Sequence, residues 1–288
     1  MASVTSLPEL VTGISSVAII KSPDLAAGDI FGSCMFNLLI LSVLDARIKR
    51  PLFSMVKSSH ILTVIFGIIL LTIAGIAIYL TNQIPIILWM SSFTFVIIAI
   101  YLVSVWGIFK YEQADLIRTG EVNNAYTSFD KAALKSVIGN YALHALIVIC
   151  AAIFLPYFGE HIASVSGLGS SFFATLFIAG ATSLPELVVS IAALRMGSLD
   201  MAVGNLLGSN VFNIFILAID DVFYREGSLF SAISPSHLTS VLIIIMMSAV
   251  VALGLLFKPD KKHFWVFSLD TFIIIVLYIL VMIYLFFS

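Results

Sequence analysis

The stretch from Ile61 to Phe109 contains no Asp, Glu, Lys or Arg, and it constrains the fold of this chain more than any other feature. A membrane-spanning helix needs about 20 mostly apolar residues, so this stretch has room for two spans. The turn-forming cluster at residues 81–85 divides it, and Pro85 is suited to open the second helix. The stretch therefore predicts two helices, at 59–80 and 85–108.

The whole chain has the same apolar character. Of its 288 residues 61% are hydrophobic and 10% are charged, with a formal net charge of −2. Soluble domains are about 45–50% apolar and about 25% charged, and a globule of this size could not bury the excess. The composition excludes a soluble enzyme and a disordered chain, and the lack of a basic stripe excludes a nucleic-acid partner. It predicts an integral, multi-pass protein of the lipid bilayer.

The same reading predicts an all-α polytopic membrane protein with about nine transmembrane helices. Their expected limits are 1–20, 24–45, 59–80, 85–108, 136–158, 168–194, 199–219, 236–257 and 264–287. Basic residues favour the cytoplasmic side, and twelve of the fourteen Lys and Arg lie in loops on one side, against Lys21 and Arg225 on the other. We therefore expect a first half at 1–108 with four helices, a cytoplasmic loop at 109–135, and a second half at 136–288 with five helices.

Residues 6–45 and 183–221 are copies of one another. Ser-Leu-Pro-Glu-Leu-Val occurs at both 6–11 and 183–188, and after one extra residue near Lys21 the two copies match again, with seven pairs of Asp, Gly, Ser, Phe and Asn among the shared positions. These matched pairs are Asp24 with Asp200, Gly28 with Gly204, Gly32 with Gly208, Ser33 with Ser209, Phe36 with Phe212, Asn37 with Asn213, and Asp45 with Asp221. The loop of the first hairpin falls outside and that of the second falls in the cytoplasm, so the copies are inverted. Inverted repeats with proline-interrupted helices are typical of secondary transporters, whose substrate sites lie near the bilayer midplane.

The first helix of each copy carries an acid in an apolar setting. Glu9 and Glu186 would be costly to bury in a membrane without a compensating cation. Pro8 and Pro185 lack an N–H, so the carbonyls four residues earlier lose their helical donors. Hydroxyl oxygens lie one turn away, on Thr5, Ser6, Thr182 and Ser183. This set of oxygen atoms suits a hard cation such as Ca²⁺ or Na⁺ rather than zinc or copper.

The second helix of each copy supplies a facing wall. Ser33 and Asn37 share one helix face, as do Ser209 and Asn213. Asp29 lies on the first of these faces, about 12 Å toward the outer surface from Asn37, and we interpret it as a charge in an outer vestibule. The glycines beside these faces favour close helix approach. The five histidines have no partners in register, and we interpret them as structural or interfacial.

These motifs resemble the two α-repeats of the sodium/calcium exchangers, in the cation/calcium antiporter superfamily. Residues 181–186 and 204–213 resemble the second α-repeat, and residues 5–9 and 28–37 resemble the first. The resemblance implies an alternating-access antiporter that exchanges Ca²⁺ for Na⁺, with no enzymatic activity and no cofactor beyond the transported ions. On matching positions, Glu9 and Glu186 would be the shared acidic ligands. The other implied ligands are Thr5, Ser6, Thr182, Ser183, Ser33, Asn37, Ser209 and Asn213, together with carbonyls near Ala2 and Ala179.

The resemblance also carries expectations about the rest of the protein. Family members have ten helices, and the counterpart of the first is absent here, so we expect an upstream segment or a partner chain to supply it, or a truncated chain. Asn213 stands where potassium-dependent members carry Asp, which implies no potassium requirement. The short loops resemble those of prokaryotic members, which implies the plasma (inner) membrane.

Other functions remain open at this point. An antiporter coupled to protons or another cation would share the fold, although Ser-Leu-Pro-Glu favours the sodium branch. A truncated homologue would not transport, and a cation channel would show currents far above carrier turnover. Residues 26–29 suggest an intramembrane aspartyl protease, but Ala26 replaces the first glycine of the Gly-x-Gly-Asp motif that such enzymes require.

Overall fold

The computed structural model describes residues 2–80, 83, 85–119, 131–263 and 266–287, and its secondary structure is almost entirely helical. The first half contains α1 (Ala2–Thr5), α2 (Leu7–Ser15), a π-helical segment (Ser16–Ile20), α3 (Pro23–Ala46), α4 (Leu52–Met55), α5 (His60–Tyr79), β1 (Ile86–Ile87), β2 (Met90–Ser91) and α6 (Ser92–Thr119). The second half contains α7 (Lys131–Ser166), α8 (Ser170–Phe173), a π-helical segment (Ala174–Ile178), α9 (Ala179–Thr182), α10 (Leu184–Arg195), α11 (Leu199–Phe223), α12 (Leu229–Ala232), α13 (His237–Phe257) and α14 (Leu269–Phe287).

The described residues confirm a polytopic helical membrane protein. Seven helices are long and apolar enough to cross a bilayer, and the bent pair at Ser170–Thr182 and Leu184–Arg195 makes an eighth span. A shorter apolar helix, Leu7–Ile20, lies at the position of the first predicted span. The predicted helices thus correspond to observed elements.

Each copy of the repeat is interrupted at its proline. In the first copy α1 ends at Thr5 and α2 begins at Leu7, and in the second α9 ends at Thr182 and α10 begins at Leu184. The second copy bends by 44° at this point. Proline has no N–H to continue the helical ladder, which explains a break at the same residue in both copies.

The predicted helix at 85–108 is wrong at both of its ends. Residues 86–91 form a two-stranded antiparallel hairpin, in which Leu88 has a left-handed backbone (φ 63°), and the helix begins only at Ser92. The helix then continues to Thr119, and α7 begins at Lys131, so both extend into the expected loop at 109–135. Thr81, Asn82 and Ile84 of the predicted turn, and residues 120–130, lie outside the described residues.

The second helices of the two copies, α3 and α11, form the centre of the molecule. In their apolar windows 83% and 78% of the residues are buried, against 44% or less in the other single-helix spans. Gly32 on α3 permits a very close contact with the π-helical segment of the second half, since a Cβ there would lie 2.5 Å from the Thr175 carbonyl oxygen. Gly208 on α11 packs against Ala2 of the first half. The two halves therefore interlock around a shared core.

Candidate functional site

The structure brings the two repeat glutamates together. Glu9 on α2 and Glu186 on α10 follow the helix breaks, and both are fully buried. Ser6 Oγ donates a hydrogen bond to Glu186 Oε1 at 2.8 Å, and Ser209 Oγ approaches the same atom at 3.3 Å. Glu9 lies close enough to Glu186 for their charges to interact. The acids of the two copies therefore share one buried region.

Many oxygen atoms in this region have no hydrogen-bond partner within the described part of the chain. Both carboxylate oxygens of Glu9 and Oε2 of Glu186 are of this kind, as are Ser183 Oγ, Asn37 Oδ1 and Asn213 Oδ1. Buried polar atoms in proteins are almost always hydrogen-bonded, so a cluster of unpartnered oxygens requires an explanation. The arrangement leaves acceptor atoms free that a hard cation could use.

The threonines of the two copies reach across to the opposite copy. Thr182 Oγ1 donates to Asp29 Oδ1 at 2.8 Å and lies 3.3 Å from Ser33 Oγ. The equivalent Thr5 Oγ1 approaches Asn205 Oδ1 at 3.5 Å and donates to its own Ala2 carbonyl at 3.0 Å. Because Asp29 and Asn205 occupy equivalent positions, the two contacts are related by the repeat symmetry.

Two predicted side chains lie in surroundings that the sequence did not indicate. Asp29 is fully buried against Thr182, so the expectation of a solvent-facing vestibule charge is corrected. Asn37 Nδ2 donates to Asn210 Oδ1 at 3.0 Å, and Asn210 Nδ2 donates to the Cys34 carbonyl at 3.2 Å. Asn210 matches Cys34 in the other copy, so the repeat offered no signal for it.

Two histidines have partners that are related by symmetry. His60 Nε2 lies 3.0 Å from Asp200 Oδ1, and His237 Nε2 lies 3.4 Å from Asp24 Oδ1. In each pair the aspartate belongs to one copy, and the histidine begins the long helix that follows the other copy, α5 or α13. The interpretation that these histidines lack partners is therefore wrong. The signal was present in the matched aspartates and in the Ser-His pairs at 59–60 and 236–237.

The aspartates at the ends of α3 and α11 form a second crossed pair. Asp45 accepts hydrogen bonds from the Leu52 and Ser268 amides, each at 2.8 Å, and so joins its own half to the start of α14. Asp221 accepts from the Leu229 amide at 2.6 Å and from the Ser91 amide at 2.9 Å, and so joins its half to the start of α6. Asp221 also accepts a hydrogen bond from the Thr94 hydroxyl. These contacts at the first turn of α6 explain why the helix begins after the hairpin rather than at Pro85.

A cavity of about 560 Å³ leads toward the site from one face of the molecule. Lys57, His60 and Asp200 line its mouth, on the side that the basic loops predict to be cytoplasmic. Asn205 and Gly208 line it deeper within the molecule, and Asn205 contacts Thr5 beside the glutamate region. Among the described residues no group of three or more His, Cys, Asp or Glu side chains is arranged to hold a metal.

The apolar spans, the two copies of the repeat with their proline breaks, and the buried acids define an integral multi-pass membrane protein of the inverted-repeat transporter class. The model of the sodium/calcium exchanger protein family matches residues 1–110 and 135–287. The chain belongs to that family.

Known proteins from several organisms are similar to this chain. Sodium/calcium exchanger MaX1 of Methanosarcina acetivorans is 37% identical over 116 residues, which are 37% of this chain and 33% of that protein. Uncharacterized membrane protein MJ0091 of Methanocaldococcus jannaschii is 26% identical over 85% of this chain and 74% of its own length. The human sodium/potassium/calcium exchanger 3 is 29% identical over 56% of this chain and 25% of that protein.

Two solved folds superpose on this one. A structure of the sodium-calcium exchanger NCX_Mj soaked with Na⁺ and Sr²⁺ has a TM-score of 0.62 at 20% identity and covers 97% of this chain and 83% of that one. The H⁺/Ca²⁺ exchanger CAX has a TM-score of 0.64 at 14% identity and covers 100% of this chain and 75% of that one. These likenesses establish the shared fold.

Proposed function

We propose that this protein is a secondary antiporter that exchanges Ca²⁺ for Na⁺ at a site formed by Glu9 and Glu186. The observation that carries the proposal is the environment of Glu9, which is fully buried and has no hydrogen-bond partner for either carboxylate oxygen among the described residues. A buried charge without a partner is strongly unfavourable, and a bound cation removes that penalty. Glu186, which is within charge-interaction range, is the second acidic ligand.

Neutral oxygens complete the proposed site. The hydroxyl oxygens are those of Thr5, Ser6, Thr182, Ser183, Ser33 and Ser209, and the amide oxygens are those of Asn37 and Asn213. Carboxylate, hydroxyl and amide oxygens are the ligands that Ca²⁺ prefers, and Na⁺ can use the same atoms. Two carboxylates neutralise one divalent ion, so Ca²⁺ and Na⁺ would compete for overlapping positions.

Membership of the sodium/calcium exchanger family supports this substrate pair. MaX1 is named as a sodium/calcium exchanger, whereas the structurally similar CAX is named as an H⁺/Ca²⁺ exchanger. Because the latter likeness concerns the fold alone, the coupling ion has to be identified by transport. We place the protein in the cell membrane, as expected for a short-looped exchanger.

The cavity beside Lys57 supports alternating access. In this structure the cavity extends inward to Asn205, next to Thr5. It opens at the face from which cytoplasmic ions would arrive. The opposite face carries a smaller cavity of about 310 Å³, rimmed by the Lys21–Glu226 ion pair at 2.5 Å. The conformation is therefore consistent with the inward-facing half of a transport cycle.

The test is ⁴⁵Ca²⁺ uptake into proteoliposomes that contain the full-length chain. An outward Na⁺ gradient is expected to drive uptake, with no requirement for K⁺, and Glu9→Gln and Glu186→Gln are each expected to reduce it by about a hundredfold or more, because each removes an ionised ligand. Glu160→Gln is the matched control, since Glu160 contacts Ser22 at the outer face and should leave uptake unchanged.

Two results would contradict the proposal. Uptake that follows a pH jump without sodium would assign the coupling to protons, and uptake that persists in both glutamate variants would remove the site. Single-channel currents in planar bilayers would indicate a channel instead of a carrier.

A further inference from the structure

Two acidic residues have no acidic counterpart in the other copy of the repeat. The other acids of the repeats occur as matched pairs: Glu9 with Glu186, Asp24 with Asp200, and Asp45 with Asp221. Asp29, however, matches Asn205, and Asp220 matches Leu44. The symmetric framework of the molecule therefore accounts for neither Asp29 nor Asp220.

Both unmatched acids lie on the outer side of the glutamate region. Asp29 precedes Asn37 by eight residues on α3, and Asp220 follows Asn213 by seven residues on α11. Since the two helices run in opposite directions across the membrane, a rise of about 1.5 Å per residue places both acids outward, by about 12 Å and about 10 Å respectively. They thus share one level of the molecule, which borders the glutamate region, because Asp29 accepts a hydrogen bond from Thr182 and lies within charge-interaction range of Glu186.

The two acids are both fully buried, and their charges lie within interaction range. Asp220 is fully buried, and neither of its carboxylate oxygens has a hydrogen-bond partner in the described ranges. It lies close enough to Asp29 for their charges to interact, and Asp29 Oδ2 is also unpartnered. Asp220 packs directly against Gly13, where a Cβ would lie 2.5 Å from Oδ2. Three carboxylate oxygens are therefore available at this level.

We propose that Asp29 and Asp220 form a second cation site, which binds a divalent ion on the outer side of Glu9 and Glu186. Two buried carboxylates within interaction range repel each other, and a divalent ion between them removes both the repulsion and the cost of burial. Unpartnered carboxylate oxygens are hard ligands that suit such an ion. The assignment of an outer side rests on the proposed function, whereas the binding itself does not.

The position of this site gives it a role in ion entry. Val17 and Phe223 line the small outer cavity, and Phe223 lies one helical turn beyond Asp220. The corresponding positions on the cytoplasmic side are the neutral residues Asn205 and Leu44. An ion that enters from outside would meet two carboxylates before it reaches the glutamates, whereas an ion from the cytoplasm would meet none at the equivalent positions.

The test uses Tb³⁺ as a luminescent substitute for Ca²⁺ on the purified full-length chain in detergent. Trp89 Nε1 donates to the Val222 carbonyl at 3.0 Å, two residues beyond Asp220, so this indole is placed to sensitise an ion held there. We expect tryptophan-sensitised Tb³⁺ emission, which should be lost when added Ca²⁺ displaces the Tb³⁺ ion. It should disappear in Asp220→Asn and in Trp89→Phe, and it should persist in Glu186→Gln.

Several outcomes would overturn the second site. They are absence of sensitised emission in the unmodified protein, full emission in Asp220→Asn, or loss of emission in Glu186→Gln, which would assign the signal to the central glutamates. Gly13→Ala keeps the carboxylate but displaces it, and is expected to weaken Tb³⁺ binding by about tenfold, as for a disturbed ionic contact; unchanged binding would count against the site. Failure of the proposed function has a different signature, because vesicle uptake would then lack sodium dependence while the emission persisted.

Discussion

The two copies of the repeat are alike at their helix ends and different at their centre. At the ends, Asp45 and Asp221 each accept amide hydrogen bonds from the start of a short helix and from the start of a distant helix. At the centre, Ser6 and Ser209 approach Glu186, whereas Glu9 has no partner among the described residues. Symmetry is kept in the side chains that join the helix ends, whereas the two glutamates of the proposed ion site differ in their hydrogen-bond partners.

The largest expected effect tests the symmetric part. Asp45→Ala would leave the buried Leu52 and Ser268 amides unpaired, and Asp221→Ala would do the same to Leu229 and Ser91. Each unpaired buried group costs about 1–3 kcal/mol, so we expect each variant to lose about 3 kcal/mol of unfolding free energy. Thermal unfolding in detergent measures the loss, with Asp260→Ala at an exposed position as the control. Clearly unequal losses would show that the two ends are not equivalent.

A smaller effect tests the difference at the centre. Ser6 Oγ donates to Glu186, but the matched Ser183 Oγ has no hydrogen-bond partner in the described structure. In the absence of Ca²⁺ and Na⁺ we therefore expect Ser6→Ala to lower the unfolding free energy by about 1 kcal/mol and Ser183→Ala to leave it unchanged. The stabilisation that saturating Ca²⁺ produces should be smaller in both variants than in the unmodified protein, since both hydroxyls are proposed ligands. Equal losses without ions would contradict the asymmetry.

The smallest effect concerns Lys21, at the position where the first copy has one extra residue. Lys21 forms an exposed ion pair with Glu226, which raises the pKa of the lysine. Because the folded pKa is the higher one, the stabilisation is present below the unfolded value of about 10.4 and is lost as pH rises through the folded value. Solvent and salt screen such pairs, so Lys21→Gln should leave the melting temperature nearly unchanged at neutral pH. A large shift at low ionic strength would show that the pair closes the outer face.

The sequence was sufficient to predict the elements that depend on local pattern. Apolar length predicted the helices, and Pro8 and Pro185 predicted the breaks that follow Thr5 and Thr182. The repeat predicted that Glu9 and Glu186 belong to one region, because two inverted copies of a motif meet at the centre of such a fold. These features depend on hydropathy, backbone chemistry and symmetry, all of which are readable along the chain.

Features that depend on distant partners could not be predicted in the same way. The start of α6 is displaced because Asp221 holds the Ser91 amide, a contact between residues 130 positions apart. The pairing of His237 with Asp24 depends on two helices from different halves that pack side by side. Asp220 was not identified because the matched residue is Leu44, and a repeat can indicate only what both copies retain.

The crossed ties between Asp45 and α14, and between Asp221 and α6, have a consequence for how the chain is made. When the ribosome has released α3 into the bilayer, the segment that Asp45 must hold has not yet been synthesised. The contact between Asp45 and Ser268 can therefore form only after more than two hundred further residues have been synthesised. These ties between the two halves thus form late in biogenesis, and each half has buried polar groups that only the other half can satisfy.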